Sequence, residues 1–197
     1  MCIRDSCKPY IDLSDKQEIK DFDTWLVHQT TTFSLEQEYG LLNRLDNDTW
    51  GFLYFAKTPE IYASYKELQQ QNKLQKQYLA HVQGNPFYKT AEQSMVIDFP
   101  IMHHAQDDRK MVVIKSFADT QKWRWEQHNV TTAIKLIEYN PDTNISTLLV
   151  TITKWIRHQI RCHLASIGCA IIGDKLYNKK SQDTILHLWS LGFGVEN

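Results

Sequence analysis

Two oppositely charged groups stand out in this chain because of their company. Asp46 lies in Gly40-Leu-Leu-Asn-Arg-Leu-Asp-Asn-Asp-Thr-Trp-Gly51, a polar stretch directly before the apolar run Phe52-Leu-Tyr-Phe-Ala56. A carboxylate beside a strand can act as a nucleophile or as a general acid or base. Arg157 and Arg161 lie in Lys154-Trp-Ile-Arg-His-Gln-Ile-Arg-Cys-His-Leu-Ala-Ser-Ile-Gly168. Four residues apart, they would share one face of a helix. Two cations near a helix start repel each other and oppose its dipole, so they call for an anion: Asp46, a phosphate, or both. Between these segments runs Lys76-Gln-Tyr-Leu-Ala-His-Val-Gln-Gly84. Its alternation puts Tyr78, Ala80 and Val82 on one face, and a tyrosine in a cleft can stack on a base. The spacing of His158 and His163 is wrong for a zinc pair, and the four cysteines form no CxxC pair.

The elements that must position these groups follow from local signals. Residues 51–56 read as a buried strand. Thr58-Pro59-Glu60 reads as a cap, first helical residue and dipole partner, opening a helix to about residue 72. Strands are expected over 76–84, 111–116, 131–139 and 146–153, the last two joined by the turn Asn140–Asn144. A helix is expected from Ile156 to Gly168. Strands and helices alternate without a βαβ rhythm, which gives an α+β class.

Composition sets the bounds. The 197 residues, 42% apolar and 23% charged, fit one globular domain with a real core. The net charge of −1 conceals an asymmetry: residues 1–50 sum to −5 and the remainder to +4, which leaves room for a local positive surface. No apolar run approaches membrane-span length, no signal-like stretch opens the chain, and free cysteines suit a reducing cytoplasm. Cys162 and Cys169 read as core residues. Met-Cys-Ile-Arg-Asp-Ser at positions 1–6 resembles a translated sequencing-adapter frame. The expected domain is therefore 7–197, short of its natural N-terminus.

Taken in order, the three segments resemble the RluA-type family of RNA pseudouridine synthases. Arg44-Leu45-Asp46 with Thr49 and Gly51 matches the family's arginine-leucine-aspartate motif. Lys76, Tyr78, Ala80, Val82 and Gly84 match its tyrosine motif. Arg157-His-Gln-Ile-Arg161, His163-Leu-Ala and Gly173-Asp174 with Leu176-Tyr177 match its C-terminal motif. Leu186-His187 and Cys7-Lys-Pro-Tyr10 match shorter signatures. Asn43, Trp50 and Trp155 stand where His, Ser and Gly are usual.

The resemblance implies a pseudouridine synthase fold: a mixed, mostly antiparallel sheet with flanking helices and a central cleft. It implies a cofactor-free and metal-free isomerase acting on uridines of ribosomal or transfer RNA; a monomer is the default expectation, and the lack of a membrane-length apolar run gives no membrane partner. Asp46 would act at the sugar or at the uracil ring, Arg161 would hold it charged and oriented, and Tyr78 would lie beside the base. Arg44 would fill the gap left by the flipped nucleotide. Thr49, Lys76, Arg157, His158, Gln159 and Ile160 would contact substrate, with Lys76, Lys154 and Arg157 meeting phosphates. Three rivals are a catalytically impaired RNA-binding module, a hydrolase using Asp46 and Asp48 as paired carboxylates, and a purely structural domain.

Overall fold

A computed structural model describes residues 16–46, 48–116 and 123–195. The segments 1–6 and Cys7–Tyr10 singled out above lie outside the described residues.

The chain forms three α-helices, one short 3-10 helix (Glu38–Gly40) and nine strands over this range. They run α1 (Lys16–Thr32), β1 (Trp50–Gly51), α2 (Pro59–Gln70), β2 (Leu74–Gln83), β3 (Ser94–Ile97), β4 (Ile101–His104), β5 (Met111–Val113), β6 (Trp123–His128), β7 (Thr132–Asn140), β8 (Ile145–Ile152), α3 (Gln159–Ser166) and β9 (Leu188–Val195). Six strands form one sheet in the order β1-β9-β2-β8-β7-β3, and β5-β4-β6 form a smaller one. Every pairing is antiparallel except β1 with β9. This is the expected α+β arrangement.

The local signals hold where they are chemical. Thr58 caps α2 by accepting a hydrogen bond from the Ile61 amide, with Pro59 as first helical residue. Asn140 closes the β7–β8 hairpin, its side chain accepting from the Asp142 and Thr143 amides. Tyr78, Ala80 and Val82 of β2 point inward and meet Leu148 and Val150 of β8, Leu188 of β9, and Ile160 and Leu164 of α3 in the main core. Cys169 lies in the same core, and Cys162 joins Ile101 and Met111 where the small sheet meets α3.

Two expectations are corrected. Residues 51–56 are not a buried strand: only Trp50 and Gly51 pair in a ladder, with an isolated bridge from Leu41 to Phe55. The apolar run there serves aromatic packing, with Tyr54 edge-on to Phe193 at 4.9 Å. Gly51 is needed because its backbone presses on Ser190, and a Cβ would collide with that residue's carbonyl oxygen. The second correction concerns α3, which begins at Gln159 and not at Ile156. His158 adopts a left-handed conformation (φ 54°), which breaks any helix across it. Arg157 therefore lies before the helix and shares no helical face with Arg161.

Candidate active site

The Asp46 loop is held at both ends by backbone contacts. Upstream, the Leu42 amide donates to the Tyr54 carbonyl, and the buried Asn43 side chain donates to Phe52 O (3.0 Å) and accepts from Tyr54 N (2.7 Å). Downstream, Trp50 and Gly51 pair with Trp189 and Ser190 of β9. Within the loop the Thr49 amide donates to the Asp46 carbonyl. Asn43, noted only as a departure from the family pattern, is thus the staple that shapes this loop.

The loop forms one wall of a cleft of about 690 Å³. Asp46 lines it half-buried, with Arg44, Asp48 and Thr49 beside it. Neither Asp46 nor Asp48 lies in a strand, so strand alternation does not bring them to one side as paired carboxylates. Tyr78 and Lys76 come from the inward row of β2, and Trp155, Arg157 and His158 from the segment before α3. The cleft thus brings together every expected site residue; Gln159, Ile160 and Arg161 complete it from α3.

The partner of Arg161 differs from the expectation. Its guanidinium donates two hydrogen bonds of 2.8 Å to Asp174, from Nε to Oδ2 and from Nη2 to Oδ1. Both residues are buried (3% and 0% exposed). Asp174 Oδ1 also accepts from the amides of Leu176 and Tyr177 at 3.0 Å. Asp46 instead approaches His158, with Oδ2 3.9 Å from Nε2. A bidentate fork satisfies Arg161 so fully that Asp174, not Asp46, is the anion its position calls for. Asp46 still adds to the field that keeps Arg161 charged.

His158 shares a hydrogen bond between Nδ1 and the Tyr177 hydroxyl (3.1 Å), and that hydroxyl accepts from the Met111 amide (2.7 Å). Burial first, and then the Arg161 charge, lower the His158 pKa, so at neutral pH the ring is uncharged toward Asp46. Tyr78 is 7% exposed, and burial together with the Asp46 charge pushes its phenol up to about 12. It sits in the cleft as a neutral ring.

The remaining residues divide by depth. Arg44 and Arg157 are exposed at the mouth, and Arg157 Nη1 donates to the Asp108 carbonyl, tying the β4–β5 hairpin to the cleft. Lys76 is 4% exposed, with Nζ 3.4 Å from the Trp155 ring centroid. Gln159 has its amide nitrogen engaged by Thr131 and Thr132, and Ile160 belongs to the core. Both are framework in this cleft. His163 bonds Thr132 and the Phe99 carbonyl and is likewise structural.

Sequence reasoning gave Asp174 and Tyr177 no role, although Gly173-Asp174 and Leu176-Tyr177 were in the motif. A buried arginine in α3 was the available signal, since such a cation requires a buried carboxylate nearby. Among the described residues no group of three or more His, Cys, Asp or Glu is arranged to hold a metal ion, and no helix is long and apolar enough to cross a membrane.

Comparison with known proteins points to one family. The RNA pseudouridylate synthase family matches residues 6–166. An uncharacterised RNA pseudouridine synthase of Helicobacter pylori is 29% identical over 157 residues, covering 78% of this chain and 49% of that protein. The ribosomal large subunit pseudouridine synthase D of Nitrosomonas europaea is 29% identical over 178 residues, covering 84% and 47%. The chain thus spans about half the length of these curated relatives. In fold it is similar to human RNA pseudouridylate synthase domain containing 1, with a TM-score of 0.65 at 21% identity over 76% of this chain and 61% of that one. The family match runs through the segments that carry Asp46, Tyr78 and Arg161, and the chain belongs to the RluA-type family of RNA pseudouridine synthases.

Proposed function

We propose that this chain isomerises uridine to pseudouridine in structured RNA, ribosomal RNA first and transfer RNA second, with Asp46 as the reacting carboxylate. The observation that carries the reading is a half-buried Asp46 facing the buried ring of Tyr78 across one cleft. The name of the Nitrosomonas relative favours ribosomal RNA.

Pseudouridine formation breaks the bond from ribose C1′ to uracil N1, turns the base and rejoins it through C5. Asp46 attacks either the sugar or the ring, and needs to be ionised and accessible to do so. Tyr78 offers a flat neutral surface beside the base. Arg161 contributes through the rigid Arg161–Asp174 fork that fixes the start of α3. The exposed cations Arg44 and Arg157 meet phosphates and help offset the few kcal/mol of unstacking a uridine. The reaction, as proposed, uses neither metal nor cofactor, takes place in the cytoplasm and requires one copy of the chain.

The test is a carbodiimide-based pseudouridine assay on ribosomal and transfer RNA from cells lacking their own synthases. Wild type is expected to introduce pseudouridine at discrete positions. Asp46→Asn is expected to abolish it while RNA affinity stays within threefold. Undiminished conversion by Asp46→Asn refutes the role of the carboxylate. RNA binding without conversion by wild type supports the impaired binding module instead.

A further inference from the structure

Two buried cations line the cleft among the described residues, and their situations differ. Arg161 is neutralised by Asp174. Among the described residues Lys76 has no carboxylate within ion-pair distance and no hydrogen bond from Nζ; its ammonium rests on the face of Trp155. The nearby Lys66 is already paired with Glu38 at 3.5 Å. Lys76 occupies the inward row of β2, two residues before Tyr78, where period-2 alternation puts apolar side chains at the neighbouring inward positions. An unpaired ammonium in such a row is costly, so something that arrives later must reward it.

We propose that the Lys76 ammonium, held on Trp155 at the floor of the cleft, stabilises the negative charge that uracil acquires when its bond to ribose breaks. This rests on the pseudouridine synthase reading above. When C1′–N1 breaks, the electron pair goes to the ring and spreads over N1, O2 and O4. Attack by Asp46 on the ring likewise puts charge on the uracil oxygens, so the requirement is common to both routes. Uracil C5 then bonds to C1′, and the bond to Asp46, made at the sugar or at the ring, breaks and frees the carboxylate; the C5 proton leaves and N1 gains a proton, so the ring charge is discharged with no change of oxidation state. Lys76 interacts with a charge that exists only during the reaction, which is the kind of contact that raises rate and not merely affinity.

A phosphate fits this lysine less well. Phosphates follow the ribose backbone at the cleft mouth, where the exposed Arg44 and Arg157 lie, whereas Lys76 sits beside the ring of Tyr78. Of the titratable groups lining the cleft, Lys66 on α2 lies near enough to act on its charge. Burial first, and then the Lys66 charge, bring the amine down to about 7. A free cleft therefore holds it ready to regain full charge against an anion.

The test compares single-turnover cleavage of the C1′–N1 bond in an RNA that wild type converts, carrying uridine or 5-fluorouridine at the target. The ring fluorine stabilises the departing anion by itself. For Lys76→Met we expect about a hundredfold slower cleavage of the uridine RNA at saturation, with Kd within threefold. On 5-fluorouridine the deficit is expected to shrink below tenfold. Lys76→Arg, which restores charge, is expected to recover at least tenfold and keeps the test alive should the methionine variant fold poorly. A loss confined to Kd marks Lys76 as a phosphate anchor and overturns the proposal. So does an equal deficit on both substrates, or an unchanged rate. Failure of wild type to convert any RNA overturns the synthase reading instead.

Discussion

Replacing Arg161 with methionine should cost this protein a large share of its stability. The reason is what remains behind. Asp174 is fully buried and accepts two charge-assisted bonds of 2.8 Å from Arg161. Without the guanidinium it retains only the Leu176 and Tyr177 amides. Breaking a buried pair by removing one partner typically costs about 3–5 kcal/mol. The two amides place this case near the lower end, at about 3 kcal/mol. Asp174→Leu strands the arginine in turn and should cost about as much. The double variant Arg161→Met/Asp174→Leu leaves no unpaired charge, so its loss should fall short of the sum by about 2 kcal/mol. Urea denaturation of the four proteins measures each term. Asp46→Asn belongs in the same series: it should shift stability by less than about 1 kcal/mol and couple to Arg161 far more weakly than Asp174 does. A destabilisation by Arg161→Met below about 1 kcal/mol, additive behaviour in the double variant, or coupling of Arg161 to Asp46 as strong as its coupling to Asp174 would each refute the pairing.

Other outcomes are equally specific. Asn43→Ala removes two side-chain bonds to backbone and leaves Phe52 O and Tyr54 N wanting, so a loss of about 1–3 kcal/mol is expected in thermal melts; turnover should fall with it, because the Asp46 loop loses its staple. Gly173 has φ +75° and lies against Ile185, where a Cβ would collide with the carbonyl oxygen; Gly173→Ala should yield little folded protein on size exclusion. His158 and His163 have folded pKa values held below the ordinary range, in both cases chiefly by burial. The unfolded chain therefore takes up their protons first as pH drops, and stability should fall from about pH 6.5 downward. His158→Asn should flatten that slope in melts between pH 7 and 5.

The residues proposed to do the chemistry were easier to read than their supports. Asp46, Tyr78 and Arg161 announced themselves by type and order, and the cleft does collect them. Their helpers did not. Arg161 and Asp174 are thirteen residues apart and meet only because the chain turns back after α3, a long-range fact that no local period encodes. The left-handed His158 defeated helical spacing because a pattern of apolar residues says nothing about one dihedral angle. The run 51–56 misled because aromatic residues are enriched both in ladders and in packed loops. Lys76 was legible in direction, sharing parity with Tyr78, but its seat on Trp155 comes from elsewhere in the sequence.

The position of β9 has a consequence for how the molecule comes into being. The strand at residues 188–195 lies between β1 and β2, so β1, at the end of the Asp46 loop, joins the large sheet through it. About 140 residues separate Trp50 from its strand partner Trp189. Closing so long a loop is slow. During synthesis, β2, β7 and β8 can pair while the Asp46 wall still waits for its partner strand to leave the ribosome. The Asp46 wall thus arrives last, after the scaffold beneath Tyr78 has set, and a chain interrupted before residue 188 would carry every motif residue named here without the strand that brings Asp46 to the others.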